Sequence, residues 1–349
     1  MIKIEKKDTS KGEISLITLT NRKGHSVVLC NIGAAIVEVN VPDKDGKIED
    51  IVLGYKDPED YFDDGPCAGK CPGRYANRIA HGKFELDGFS YSLPINNGPN
   101  HLHGGPDGFQ NKIWEIEKTT ENSVIFKYVS PDGEAGYPGE LTVEVKYEWT
   151  DSDELKLTFE ASVVGKPTVL NLTNHAYWNL KGHDKGSILN HKLKLKASNY
   201  LPTDETLIPN GELADVKNTP MDFNSFKTIG KEIKADFPAL KYGKGYDNCW
   251  VIDEYEVGKL QAVAQLYDEE TRRLLTVETD QPGVQVYTGN WLAGSPENKK
   301  GRSYEDYDGV AIECQAFPDA PNKPMFPTTV LRPGDKFEKH INFIFSIRK

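Results

Sequence analysis

The chain has 349 residues, 38% of them apolar, enough to bury a sizeable core in one large unit. Its 42 basic and 53 acidic residues leave a formal charge of −11, a balance that argues against nucleic acid and anionic membrane as partners. No run approaches the ~18 apolar residues of a membrane span, and the opening MIKIEKKDTS lacks the apolar stretch of a secretory leader.

The elements expected along the chain are mostly strands. PDKDG at Pro42 to Gly46 is the first strong turn signal. CAGKC places Cys67 and Cys71 four residues apart, a spacing that matches no zinc signature. With Cys30, Cys249 and Cys314 the cysteines are odd in number and sparse, which favours a reducing compartment and a cytoplasmic protein. In ELTVEVKYEWT, Val143, Val145, Tyr147 and Trp149 fall on one side and Thr142, Glu144, Lys146 and Glu148 on the other, the period of a strand. ELKLTFEAS repeats the pattern with Leu155, Leu157 and Phe159. A short helical piece is expected between Asn224 and Leu240, limited by Pro238. KLQAVAQLYDEETRRLLTVETD reads as a hairpin turning near Asp268 to Thr271. The tail alternates again through Phe337, Ile341, Phe343 and Phe345. Many strands, few helices and no linker predict an all-β fold, one large antiparallel sandwich over residues 1–349 with its site in loops or on a concave face.

Several segments carry more polar groups than a simple strand needs: GRYANRIAHGKF, NHLHGG, NLTNHAYWNL, KGYDNCW, QPGVQVYTGNW and AIECQAFPDAPN. In NLTNHAYWNL, His175 stands among Asn171, Asn174, Tyr177, Trp178 and Asn179. Amides and flat rings are what a pocket uses to orient a polar ligand, and a histidine there can carry a proton near neutral pH; a buried structural histidine is the alternative. His101 and His103 form an HLH, which on a strand would face one way, as in a metal site. The further ligands such a site wants are not supplied by any spacing, and no metal is expected. Gly104 and Gly105 would let backbone approach a ligand closely. Glu313 lies in the apolar strand GVAIECQAF, where desolvation would raise its pKa and make it a better base, unless it simply faces outward. Arg78, between apolar neighbours, can pair a carboxylate or grip sugar hydroxyls with its fork of donors; Asp247 is equally a turn aspartate. These residues describe an acid and a base around a polyhydroxyl ligand without choosing between cleaving a glycosidic bond and opening a ring. Phosphate-loop, serine-hydrolase and dinucleotide fingerprints are absent from the sequence.

GRYANRIAHGKF, NNGPNHLHGG, NLTNHAYWNL, ETDQPGVQVYTGNWL, AIECQAFPDAPNKPMFP and TTVLRPGDKF, in this order from about Asn31 to the C-terminus, together resemble the aldose 1-epimerase (galactose mutarotase) family. The resemblance implies a large antiparallel β-sandwich with an open sugar cleft. It implies His175 as acid and Glu313 as base, and Asn77, Arg78, His103, Asp247 and Gln281 as sugar-holding residues, with Tyr177 beside the acid. It also implies a monosaccharide substrate such as galactose or glucose, no cofactor, and a monomer or homodimer. Relatives commonly carry histidine after the aspartate of the GxD segment; here that residue is Asn248. A sugar-binding protein without catalysis on the same sandwich is the competing reading.

Overall fold

The computed structural model describes residues 1–62 and 64–349. Three antiparallel sheets carry the architecture. The N-terminal sheet is a five-stranded meander: Ile2–Thr9, Gly12–Thr20, Ser26–Cys30, Ala35–Pro42 and Ile48–Asp50. The PDKDG turn closes its last hairpin, with Asp43 Oδ1 accepting the N–H groups of Asp45 (2.8 Å) and Lys47 (2.9 Å).

The main sheet has nine strands, and both alternating segments lie in it as Glu140–Trp149 and Glu154–Val164. Val143, Val145, Tyr147, Trp149, Leu155, Leu157 and Phe159 are all buried, as the period of two requires. The C-terminal strand Phe337–Ile347 inserts between Glu154–Val164 and Arg273–Thr279. The expected hairpin is present: Gln261–Tyr267 pairs with Arg273–Thr279, and Asp268 Oδ2 accepts the Thr271 N–H at 2.8 Å.

The third sheet has six strands, in the order Tyr177–Trp178, Val310–Gln315, Gly283–Tyr287, Asp247–Val251, Asn199–Tyr200 and Ala214–Asp215. Its Trp178, Trp250, Val284, Val286, Val310, Ile312 and Cys314 join Val143, Tyr147 and Phe343 of the main sheet in one apolar core, so these two sheets pack face to face. The opposite face of the six-stranded sheet is left to carry polar groups.

Helix is as scarce as expected, but the short piece lies at the end of the anticipated stretch. The stretch 224–240 holds a two-residue strand, Lys227–Thr228, and a 3₁₀ turn, Ile229–Lys231; the α-helix runs Pro238–Gly243. Proline does not end this helix but begins it. It lacks an N–H and forces Phe237 into extended geometry (φ −136°, ψ 131°), so it occupies the first helical position. Among the described residues no helix is long and apolar enough to cross a membrane.

Phe343 is fully buried, with its ring 4.9 Å from that of Trp178, whose neighbour Tyr177 faces the other side of the sheet. Phe343→Ala is expected to lower the unfolding free energy by about 3–5 kcal/mol. Denaturant unfolding measures this, and a loss below about 1 kcal/mol would contradict the packing described.

Candidate active site

The cleft floor follows from strand alternation. In Val310–Gln315 the residues Val310, Ile312 and Cys314 enter the core, which turns Ala311, Glu313 and Gln315 to the other face. In Gly283–Tyr287, Val284 and Val286 enter the core, leaving Gln285 and Tyr287 opposite. In Asp247–Val251, Trp250 enters the core and Asp247 faces away from it. Register then sets these residues side by side. Tyr177, Ala311, Tyr287 and Asp247 make one row, and Glu313 pairs with Gln285 in the next. A cleft of about 990 Å³ opens over Tyr177, Tyr287, Asp247 and Glu313, lined also by Asn77, Arg78, His103 and His175.

At its centre His175 Nε2 lies 3.4 Å from Glu313 Oε1, with both side chains almost fully buried. Burial raises the Glu313 carboxyl well above the usual carboxylate range; the charge of Asp247 adds to this and that of Arg78 opposes it. Burial likewise pushes His175 down to about 4, with Lys70 acting in the same direction. A neighbouring carboxylate by itself would favour charged His175. In the structure desolvation outweighs that attraction, and burial favours a pair carrying one proton in total.

His175 is held by its backbone. Its N–H donates to Lys70 O (2.8 Å) and its carbonyl accepts the Gly69 N–H (3.0 Å). Lys70 and Asp64 form an ion pair shut off from solvent below this segment, and Lys70 Nζ also donates to Tyr61 O at 2.5 Å. Tyr177 OH donates to Pro66 O (2.9 Å), fixing the same segment from the cleft side. The three amides of NLTNHAYWNL, expected to face a ligand, serve the scaffold instead. Asn171 Nδ2 donates to Ala76 O (2.9 Å) and its Oδ1 accepts the Ala316 N–H (2.8 Å), tying the ANRI and Glu313 segments together. Asn174 donates to Gly69 O (2.7 Å) and Asn179 to Asp308 O (2.9 Å).

Asn77 and His103 both have left-handed backbones (φ 64° and 53°) and clamp each other: the His103 N–H donates to Asn77 O (3.0 Å), and the Asn77 N–H donates to His103 Nδ1 (3.1 Å). The positive φ at His103 ends the strand His101–Leu102, so the two histidines of HLH do not face one way. His101 is a core histidine, its Nδ1 2.6 Å from Pro94 O and its Nε2 2.7 Å from Tyr137 OH. Gly104 is needed for packing. A Cβ there would lie 1.7 Å from Gly73 O, so the glycine serves close packing of the chain on itself.

His103, His175 and Glu313 bring one potential ligand atom each within 4.8 Å of one another. The Asn77 N–H argues against a cation there. It occupies the Nδ1 lone pair of His103, so the neutral ring carries its proton on Nε2 and points a donor, not a lone pair, at the cleft. Burial keeps this ring neutral, with the charges of His175 and Arg78 adding to the effect.

Arg78 lies on the cleft wall, its Nε donating to Asn97 Oδ1 (3.1 Å) and its Nη2 3.6 Å from Asp247 Oδ2. Gln281 does not line the cleft. Its Nε2 donates to Leu172 O (3.0 Å) and Cys314 O (2.9 Å) inside the protein. The amide of the QPGVQ segment that reaches the site is Gln285, whose Nε2 donates to Asp247 Oδ1 at 2.7 Å and which pairs in register with Glu313. The sequence carried a signal for it: Gln285 alternates with the apolar Val284 and Val286, whereas Gln281 precedes the strand.

The model of the aldose 1-epimerase family matches residues 15–343. The galactose mutarotase of Rattus norvegicus is 41% identical over 322 residues, covering 92% of this chain and 91% of that protein. The aldose 1-epimerase of Escherichia coli (strain K12) is 38% identical over 332 residues, 95% of this chain and 94% of the other. Among solved structures, the aldose epimerase homologue from C. elegans has a TM-score of 0.88 at 32% identity, covering 96% of this chain and 99% of its own. The galactose 1-epimerase from Lactobacillus acidophilus has a TM-score of 0.87 at 28% identity, covering 100% and 99%.

Gln285→Leu is expected to release Asp247 and lower kcat/KM for the bound ligand's reaction. Gln281→Leu instead leaves two buried carbonyls unpaired and is expected to lower stability by about 1–3 kcal/mol with KM unchanged. Steady-state kinetics and thermal melting of the two variants check this, and the reverse pattern would restore Gln281 to the cleft.

Proposed function

The chain belongs to the aldose 1-epimerase family, and on that premise we propose that His175 and Glu313 are its acid and base. The protein is a mutarotase, an isomerase that interconverts the α and β anomers of a free aldohexose such as D-galactose or D-glucose. The observation that carries the assignment of roles is the buried 3.4 Å pair of imidazole and carboxylate at the floor of a cleft otherwise lined by hydrogen-bonding groups and rings.

Glu313 takes the proton from the O1 hydroxyl as the O1 electrons form the C1=O1 double bond. The C1–O5 bond breaks, its electron pair stays on O5, and O5 takes a proton from His175. The open aldehyde turns by half a rotation about C1–C2 and presents its other face. Closure reverses both transfers, so the two residues finish as they began. No group or electron leaves the sugar, and the sequence implies no cofactor.

The shifts rest the pair's single proton on Glu313, so the two roles require that proton to stand on His175 when the sugar reacts. A carboxylate with a raised pKa is the stronger base once ionised, and an imidazolium with a lowered pKa is the stronger acid. In this reading Arg78, Asp247 and the Nε2–H of His103 hold the remaining hydroxyls while C1 stays free to turn. Asn77 sets the tautomer of His103, Gln285 fixes Asp247, and Tyr177 walls the site beside the acid. A sugar-binding protein without catalysis would need no such pair.

His175→Asn and Glu313→Gln are each expected to lower kcat by roughly 10²- to 10⁴-fold. Polarimetry of freshly dissolved α-D-galactose and α-D-glucose measures this, with circular dichroism to establish the fold; wild-type rates from a folded variant would overturn that residue's role. The pH dependence has a definite sign. A second proton on the pair puts an uncompensated positive charge in the buried site, and loss of the only proton leaves an uncompensated negative one. Both are disfavoured, so the singly protonated state spans a wide window. The acid limb of kcat/KM is expected near pH 4, where His175 is held, and an acid limb near the ordinary histidine value of about 6.5 would contradict it.

A further inference from the structure

Lys70 is a buried charged group that the proposed reaction leaves unused. Its side chain and that of Asp64 are both fully out of water, and the two form an ion pair. The Lys70 ammonium also donates to Tyr61 O (2.5 Å) and Asn111 Oδ1 (3.4 Å). Asp64 Oδ2 accepts the Tyr55 hydroxyl (2.9 Å) and the Ala68 N–H (2.8 Å). An enclosed pair of this kind adds little net stability over apolar side chains of similar size, so stability alone does not account for it.

The pair closes the base of the loop 64–70, and the loop holds the segment that carries His175. The Gly69 N–H donates to His175 O (3.0 Å), and the His175 N–H donates to Lys70 O (2.8 Å). Tyr177 OH adds a third bond, to Pro66 O (2.9 Å). Lys70 thus grips His175 with its main chain and is itself anchored through its side chain. The loop contains no strand or helix, and Asp64, Gly65 and Pro66 line the cleft, so its shape depends on these bonds.

The groups around the His175 ring are few. Glu313 lies 3.4 Å away, and the rings of Tyr177, His103 and Tyr287 stand at 4.9, 5.3 and 6.2 Å between centroids. Burial keeps His103, both tyrosines and the Cys67 thiol of the loop neutral. Asp247 and Arg78 bear on Glu313, whereas the charge of Lys70 bears on His175 and opposes protonation of the ring, as burial does. A proton held weakly is one that an acid gives up readily.

We propose that Lys70 is a positioning residue for the acid: tied to Asp64, it latches the loop that grips the His175 main chain and sets a positive charge beneath the imidazole. The inference rests on the mutarotase reading for its effect on rate, but its effect on His175 is measurable without turnover.

The test is the double variant Lys70→Met/Asp64→Asn. It removes both charges together, so neither is left buried alone, and the new amide keeps an acceptor for Tyr55 OH and the Ala68 N–H. In polarimetry with α-D-galactose, kcat is expected to fall roughly tenfold with KM within about twofold. The acid limb of kcat/KM should move up by about one unit, because the positive charge that opposed protonation is gone. A folded variant with wild-type kcat and an unmoved limb would overturn the proposal, as would a raised KM at unchanged kcat. Nitrogen NMR of the histidine side chains, with the His175 signal identified by its loss in His175→Asn, follows the same midpoint directly: a rise in the double variant supports the latch and equal midpoints overturn it. Should wild type accelerate neither galactose nor glucose, the mutarotase reading falls and these midpoints alone decide. Should the double variant not fold, Tyr55→Phe, which removes one hydroxyl from Asp64, decides in its place. A kcat lowered roughly two- to fivefold at unchanged KM supports the proposal, and an unchanged kcat overturns it.

Discussion

Four strands of the six-stranded sheet, Tyr177–Trp178, Val310–Gln315, Gly283–Tyr287 and Asp247–Val251, have to satisfy two surroundings at once. One face seals an apolar core shared with the nine-stranded sheet, and the other carries the polar floor of the cleft. Because successive side chains point to opposite faces, Ile312 and Cys314 in the core oblige Glu313 to stand on the floor, and Val284 and Val286 do the same for Gln285. A slip of one residue in any of these strands would bury the carboxylate in the core and bring an aliphatic chain to the floor. The proposed acid–base pair and its neighbours thus depend on the same register that closes the core.

That arrangement also sets the electrostatics. Glu313 and His175 are brought together in a place that water hardly reaches, and desolvation moves their proton affinities in opposite directions. Neither group is tuned by a single neighbour. Asp247 and Arg78 act on Glu313 with opposite signs, and Lys70, neutralised in part by Asp64, acts on His175 from beneath. The ion pair of Lys70 and Asp64 stands out because a buried charge pair adds little net stability. It braces the segment whose backbone bonds hold His175.

Around this centre the cleft separates tasks. Asn171, Asn174 and Asn179 join loops to strands, Asn77 orients His103, and Gln285 orients Asp247. Farther out, Trp291 and Tyr242 line the mouth of the cleft, with the Trp291 ring stacked on Tyr287.

The strands whose alternation runs unbroken over several residues, such as Glu140–Trp149 and Phe337–Ile347, were legible in the sequence because a period of two is a local property. So were the motifs holding His175, Glu313, Arg78, Asp247 and His103, since polar residues among apolar ones mark a site wherever the chain places them. The short helix could not be placed within its stretch because Gly230 and Pro238 divide it into pieces too short for periodicity to show. Three matters were decided only by tertiary structure. The separation of His101 from His103 follows from one positive φ. The exchange of Gln281 for Gln285 follows from where a strand begins. The direction of the His175 shift follows from burial, which accumulates from distant segments packed around the ring. Residue identity and spacing are written in the sequence, but a backbone angle, a register and a desolvation each depend on partners far along the chain.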